Sequence, residues 1–218
     1  MGQIKACLFD LDGVIVDTAK YHYIAWRELA NELGFEFTEE DNERLKGVSR
    51  MTSLNILLEI GGVTLSDEEK NRLAEKKNEN YRTFILKMQP DEILDGAKEF
   101  LLELQQKNIR IALGSASKNA MTILDRLELT ECFEAIIDGT KVTEAKPDPE
   151  VFLKGAEALG VRPEECLVFE DAEAGVEAAL AGNMKCVGIG SPNNLGKAHL
   201  VIDGLHQMTY EKLIELNN

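Results

Sequence analysis

Four short stretches of this sequence carry side chains that could act together on a phosphate ester. Asp10-Leu11-Asp12-Gly13 offers two carboxylates at positions i and i+2, and Gly114-Ser115-Ala116-Ser117-Lys118 offers hydroxyls, backbone N–H groups and an ammonium. Lys146 precedes Pro147, and Glu170-Asp171 is a second acidic pair. Carboxylates crowded together raise one another's pKa unless a cation sits among them. Asp10, Asp12, Glu170 and Asp171 are hard oxygen ligands, too few and too dispersed for a Ca²⁺ loop. Mg²⁺, which keeps several waters and takes one or two carboxylates plus a substrate phosphate, is the better match. Ser115, with the N–H groups ahead of a following helix, can hold phosphate oxygens, and Lys146 can neutralise the charge that remains. The chemistry this describes is phosphoryl transfer, in which positioning and charge neutralisation carry most of the catalysis. Asp10 is then the nucleophile that forms an acyl phosphate. Asp12, on the same side of an extended strand end, is the general acid and base.

Taken singly, each stretch has a plainer reading. Asp12-Gly13 is a turn signal, Ser117 a helix cap, Glu170-Asp171 a pair of acids at a helix N-terminus, and Lys146-Pro147 an exposed loop. Position joins them. Continuous apolar runs over 4–9, 109–113, 135–137, 167–169, 186–189 and 200–202 read as strands covered on both faces. Helical patterns separate several of them. One spans 95–106 with Leu101, Leu102 and Leu104 on its apolar side; another follows Ser117 and carries Met121, Leu124 and Leu127. A third starts at Asp148-Pro149, with Asp148 as cap, and stops near Gly160; a fourth runs over 172–181. Alternating β and α units predict an α/β fold, a Rossmann-like, doubly wound parallel sheet with helices on both faces. Ligands bind such sheets at the carboxyl ends of the strands, where all four stretches stand.

Between the first strand and the next β/α unit the alternation stops. Helical patterns occupy 19–33, 39–46, 51–60 and 67–86, and Thr38-x-x-Asp41 and Ser66-x-x-Glu69 have the capping-box form. An all-helical cap domain over 18–90, inserted into a core of 1–17 and 91–218, is the expected organisation. In the cap, His22 and Trp26 lie one helical turn apart and share a face. Lys46-Gly47-Val48-Ser49-Arg50 is a glycine loop with a base at each end. Arg50 offers a planar fork for a phosphate, and Gly47 lets backbone approach a ligand.

Composition sets the outer bounds. The chain has 218 residues, with 24 basic against 39 acidic, a net charge of −15. Nucleic acid and an anionic membrane would repel it, although a local basic cluster can still take a small anion. No apolar run reaches the roughly 18 residues of a membrane span, and the N-terminal stretch lacks a signal-peptide pattern. Four scattered cysteines fit buried, reduced thiols and a cytoplasmic setting. Without an oligomer signal, a monomer is expected.

Phe9-Asp10-Leu11-Asp12-Gly13-Val14, Ser115, Lys146-Pro147 and Glu170-Asp171, with a helical insertion after the first, resemble the four motifs of the haloacid dehalogenase superfamily of phosphotransferases across the whole chain. The resemblance implies that Asp10 is the nucleophile and Asp12 the general acid/base. Ser115, with Ala116, then binds the transferring phosphoryl group, Lys146 stabilises it, and Asp10, Asp12, Glu170 and Asp171 hold Mg²⁺. Asp12 and the metal acids set the sequence apart from the dehalogenases and phosphonatases of that superfamily. Within it, Thr18-Ala19-Lys20-Tyr21-His22, Lys46–Arg50 and Ser115-Ala116-Ser117-Lys118-Asn119 are similar to the beta-phosphoglucomutase family. That similarity implies that Arg50, Ser117, Lys118 and Asn119 bind the phosphate that is not transferring, and that His22 and Lys46 help bring Asp12 into place. Thr18, Trp26, Gly47, Val48, Ser49, Ser53, Lys77 and Asn78 would line the sugar pocket. The implied reaction interconverts beta-D-glucose 1-phosphate and D-glucose 6-phosphate through an aspartyl phosphate and beta-glucose 1,6-bisphosphate. That bisphosphate, or another donor, would prime Asp10, and cap closure would exclude water. A Mg²⁺-dependent sugar-phosphate phosphatase on the same scaffold is the alternative.

Overall fold

A computed structural model describes residues 3–45 and 48–216 of the chain. The six apolar runs become β1 (Ala6–Phe9), β2 (Arg110–Gly114), β3 (Ala135–Ile137), β4 (Cys166–Glu170), β5 (Lys185–Ile189) and β6 (Leu200–Ile202). They form one parallel sheet in the order β3-β2-β1-β4-β5-β6. The strands are apolar except at ends such as Arg110, Glu170 and Lys185, because both faces are covered. Cys7 and Phe9 point into a core with Phe100, Leu101, Leu104 and Ile123. Ala6 and Leu8 point the other way, into a core with Phe152, Leu159 and Val176. From β1 the chain builds outward through β2 and β3, then returns to place β4 on the other flank. A topological switch point therefore lies between β1 and β4, and such a crevice is where an open α/β sheet takes its ligand.

The interruption after β1 is helical: α1 (Ala19–Glu32), α2 (Glu39–Glu43), α3 (Arg50–Ile60) and α4 (Asp67–Ile85). Both predicted capping boxes form, Thr38 with Asp41 and Ser66 with Glu69. The inserted cap has its own apolar centre, with Trp26, Leu29, Phe37, Leu54, Leu57 and Leu73. Its two connections to the sheet lie side by side. Val16 bridges Ile93, Leu94 N–H donates to the Ile15 carbonyl at 2.9 Å, and Glu92 accepts from Lys20 Nζ at 2.9 Å and from the Tyr21 hydroxyl. The cap thus hangs on one compact hinge. Among the described residues no helix is long and apolar enough to cross a membrane.

The core helices are α5 (Ala97–Gln106), α6 (Ala120–Arg126), α7 (Glu150–Leu159) and α8 (Glu173–Ala181). Four details differ from the sequence reading. Leu102 and Met121 are 42% and 39% exposed, because each sits off the buried stripe defined by the helical repeat. Ser117 does not cap α6; Asn119 stands at that position, and Ser117 Oγ accepts from Asn119 N–H at 3.2 Å in the turn before it. Pro149, not Asp148, is the N-cap of α7, with Asp148 Oδ1 accepting from Glu150 N–H at 2.9 Å. Cys7, Cys166 and Cys186 are buried free thiols, whereas Cys132 is only partly covered.

Under the switch point lies an aromatic cluster. Phe9 stacks on Phe169 with ring centroids 4.7 Å apart, and Phe100 meets both rings edge-on at 6.2 and 5.5 Å. Phe9→Ala should cost about 3–5 kcal/mol of stability, whereas Leu102→Ala should stay within about 0.5 kcal/mol. Urea unfolding of the two variants reads the difference directly.

Candidate active site

The carboxyl ends of β1 and β4 place Asp10 and Glu170 on either side of the crevice, and a lysine from the loop before α7 joins them. Lys146 Nζ donates to Asp10 Oδ1 at 2.6 Å and to Glu170 Oε1 at 3.0 Å, with its side chain only 2% exposed. Burial lowers its affinity for a proton, but the two carboxylates outweigh burial and hold the ammonium above its ordinary pKa. Glu170 Oε2 also accepts from Asp171 N–H at 2.9 Å. Room for Glu170 depends on Gly175 at the start of α8: a Cβ there would strike Glu170 Oε1. Gly13 adopts a φ of 77°, which L side chains rarely take, and a Cβ on it would strike Asp171.

Asp10, Glu170 and Asp171 each offer an oxygen within 4.8 Å of the other two. Burial, first of all, pushes the carboxyls of both Glu170 and Asp171 upward. For Asp171, the neighbouring Glu170 and Asp10 add to the shift; for Glu170, Lys146 opposes it and Asp10 adds to it. Close, all-oxygen donors in a mostly buried crevice suit a hard divalent cation such as Mg²⁺. The carboxylate of Asp12 was expected in this set and lies outside it. It accepts from the Thr18 hydroxyl instead, and its pKa is raised to about 7, by burial first and then by Asp10, with Thr18 opposing.

Ser115, at the end of β2, is buried, and its N–H donates to the Ile137 carbonyl at 2.9 Å. Its Oγ accepts from Ser117 N–H at 3.1 Å, so the 115–119 loop is a ladder of hydroxyl-to-backbone bonds. Ala116 lines the cleft, and Lys118 is exposed at its edge. Asn119 reaches the cap: its Nδ2 donates to Asn78 Oδ1 at 2.9 Å, and its Oδ1 accepts from Arg82 Nη1 at 3.5 Å.

Facing these from the cap is a second group. Lys77 is buried, with Nζ 2.7 Å from His22 Nδ1 and above the rings of Trp26 and Tyr81 at 4.3 and 4.9 Å. His22 also stacks on Tyr81, with centroids 4.1 Å apart. Burial, then the nearby Lys77 and Arg50, hold His22 well below its ordinary pKa; burial, then Arg50, likewise lower Lys77. Burial and the neighbouring cations both disfavour the charged imidazole, so His22 is held neutral beside Lys77. Arg50 Nη1 donates to Glu75 Oε2 at 3.0 Å, and Asn78 Nδ2 donates to Glu75 Oε1 at 3.2 Å. Ser49 is the N-cap of α3, accepting from Thr52 N–H at 3.2 Å, and Ser53 is buried one turn on.

One cleft of about 760 Å³ gathers these groups. Asp10, Asp12, Ser115, Ser117, Lys118, Asn119, Lys146 and Asp171 line it from the core. Thr18, His22, Trp26, Val48, Ser49, Arg50, Ser53, Lys77 and Asn78 line it from the cap. Glu170 stands behind Lys146 rather than on the wall. Lys46 and Gly47 fall outside the described residues. The sequence reading missed Asn42 and Leu45 on the cleft wall, Arg82 behind Asn119, and Glu75 behind Arg50. Arg82 stands one helical turn after Asn78 and was open to inference from that period. Glu75 and Arg50 are on different helices, so no local pattern links them.

A family model for haloacid dehalogenase-like hydrolases matches residues 4–183. The chain is 42% identical over 214 residues to the beta-phosphoglucomutase of Bacillus subtilis, covering 97% of this chain and 95% of that one. It is 34% identical to a phosphorylated carbohydrates phosphatase of Thermotoga maritima, covering 98% of both. The crystal structure of beta-phosphoglucomutase from Clostridium difficile superposes with a TM-score of 0.94 at 45% identity, covering 98% of this chain and 96% of that one.

Gly175→Ala should displace Glu170 and weaken Mg²⁺ binding about tenfold or more, read by calorimetric titration, with far-UV circular dichroism unchanged. His22 makes a separate, pH-dependent prediction. Its folded pKa lies below its unfolded value of about 6.5, so the unfolded chain takes up a proton that the folded one refuses. Stability from this residue is present above pH ~6.5 and is lost as the pH falls below it. Relative to His22→Gln, the protein should lose stability, on the order of 1 kcal/mol, between pH ~7.5 and ~5.5 in urea unfolding. A pH-independent difference between the two would contradict the buried, neutral imidazole.

Proposed function

The chain belongs to the haloacid dehalogenase-like hydrolases, and from that premise we propose that it is a phosphotransferase of the beta-phosphoglucomutase type, working through an aspartyl phosphate on Asp10. The observation that carries this reading is that a single cleft brings together two groups of side chains suited to anions. Lys146 and Ser115 attend Asp10, while Arg50, Ser117, Lys118 and Asn119 form a second polar group within the same walls. A phosphatase needs only the first. A mutase must also hold the phosphate that stays on the sugar, whichever way round the sugar lies.

On this reading the core is residues 1–17 and 91–218, and the cap is 18–90. An Asp10 oxygen attacks phosphorus, and the new P–O bond forms as the bond to the sugar oxygen breaks. Asp12 gives its proton to that oxygen. In the opposite direction Asp12 takes the proton from the sugar hydroxyl that attacks the aspartyl phosphate. Lys146 balances the charge on Asp10 and on the transferring group, and Ser115 with the Ala116 N–H orients its oxygens. A divalent cation held by Asp10, Glu170 and Asp171 supplies, when bound, further neutralisation of phosphoryl charge. Phosphorylated Asp10 serves the 6-hydroxyl of beta-glucose 1-phosphate, and the resulting 1,6-bisphosphate turns round. Asp10 takes back the 1-phosphate, leaving glucose 6-phosphate. Arg50, Ser117, Lys118 and Asn119 hold the idle phosphate in both orientations. Trp26, Ser53, Lys77 and Asn78 contact the sugar, with Thr18 and the Lys46–Arg50 loop. His22 and Lys46 assist Asp12 as the cap closes and shuts out water.

The test is incubation with beta-glucose 1-phosphate, Mg²⁺ and a trace of phosphoryl donor, with the alpha anomer as control. Glucose 6-phosphate should accumulate from the beta anomer alone. Steady release of inorganic phosphate without glucose 6-phosphate would establish the phosphatase alternative instead. Arg50→Ala should lower turnover by on the order of 100-fold, yet leave phosphorylation of Asp10 by acetyl phosphate intact. Loss of both would assign Arg50 a structural role.

A further inference from the structure

Arg50 does not face the cleft as an unpaired cation. Its Nη1 donates at 3.0 Å to Glu75, whose other oxygen accepts from Asn78 at 3.2 Å. Asn78 in turn accepts from Asn119 of the core. The Arg50 side chain is 24% exposed and that of Glu75 is 60% exposed. Glu75 is not on the cleft wall, while Arg50, Asn78 and Asn119 are. A carboxylate outside the cleft wall is therefore paired with the guanidinium that would receive a phosphate.

Two physical consequences oppose each other. As a hydrogen-bond acceptor, Glu75 orients Arg50 and Asn78. As an anion, it withdraws part of the positive potential that Arg50 presents to a dianion. Glu75 engages one nitrogen of a guanidinium that carries five N–H donors, so the remaining donors stay available to a phosphate. The orienting role needs only acceptor oxygens, which an amide would also supply. The charge is what a carboxylate adds, and its effect on phosphate affinity is unfavourable.

We propose that Glu75 is a specificity-tuning, positioning residue: an internal counter-anion that holds Arg50 in place and keeps the second phosphate site weak. The inference rests on the assignment of Arg50 to the idle phosphate. It also gives the weakness a purpose in that reaction. A bisphosphate that must turn round inside the cleft has to leave each anion site, and a site with an unopposed guanidinium would retain it.

Glu75→Gln keeps the shape and the acceptor while removing the charge. Trp26 is the single tryptophan of the chain and lines the cleft, so its fluorescence can follow titration with inorganic phosphate at low ionic strength and fixed Mg²⁺. Glu75→Gln should tighten phosphate binding about two- to fivefold, the range of a partly exposed ion pair. The same substitution in an Arg50→Ala background should change nothing. Weaker or unaltered binding in Glu75→Gln would overturn the proposal, as would equal tightening with and without Arg50. These titrations need no turnover, so they still read the pair if glucose 6-phosphate fails to form. A failure here alone leaves the mutase reading standing.

Discussion

The whole active-site corner depends on one buried ammonium. Asp10 and Glu170 are delivered to neighbouring positions by β1 and β4, because Phe9 and Phe169 are register partners in the sheet. Burial and the neighbouring acids push the carboxyls of Glu170 and Asp171 upward in this crevice. Lys146 bridges Asp10 and Glu170 at 2.6 and 3.0 Å and offsets part of that shift. The loop before α7, the absence of a side chain at Gly175 and the aromatic floor under β1 and β4 all maintain this contact. The three carboxylates still outnumber the one lysine, and a divalent cation fits the remaining imbalance.

The cap meets the same problem with the opposite sign. Lys77 and Arg50 stand near one another, and His22 is pressed against Lys77 in a buried pocket. Aromatic faces at Trp26 and Tyr81 support the Lys77 ammonium, while Glu75 supports Arg50. An acidic core and a basic cap wall thus face each other across one cleft. That arrangement sets cationic side chains where a phosphate-bearing ligand would meet them. It also explains how a chain with a net charge of −15 can serve a phosphorylated sugar. The overall charge governs encounters with polyanions such as nucleic acid, whereas a handful of placed cations govern the cleft.

Cap and core are joined covalently at a single hinge, where Val16, Ile93, Glu92 and Lys20 meet. Across the cleft they touch through polar contacts such as Asn78 with Asn119 and Arg82 with Asn119. Apolar packing fills the two faces of the sheet and the cap's own centre, and Ala25, Tyr81 and Ile85 of the cap join the first of these clusters beside the connection. Polar contacts of this kind are individually weak, since water replaces them at small cost.

The sequence by itself determined the strands, the helical interruption and the edge of the sheet at which chemistry would lie. Those features rest on local periodicity and on the rule that parallel strands present ligands at their carboxyl ends. It also named Asp10, Ser115, Lys146, Glu170 and Asp171, because each directly follows an apolar run or its loop. Helix details such as the exposure of Leu102 and the cap of α6 were misread where one residue of phase decides the outcome. Only the tertiary structure decided which partner each charge took. The carboxylate of Asp12 turns to Thr18 rather than joining the cluster of Asp10, Glu170 and Asp171 that could hold a metal, and Arg50 pairs with Glu75, 25 positions away. The reason is physical: periodicity along the chain fixes the face on which a side chain emerges, while the counter-ion it meets depends on how separate elements pack.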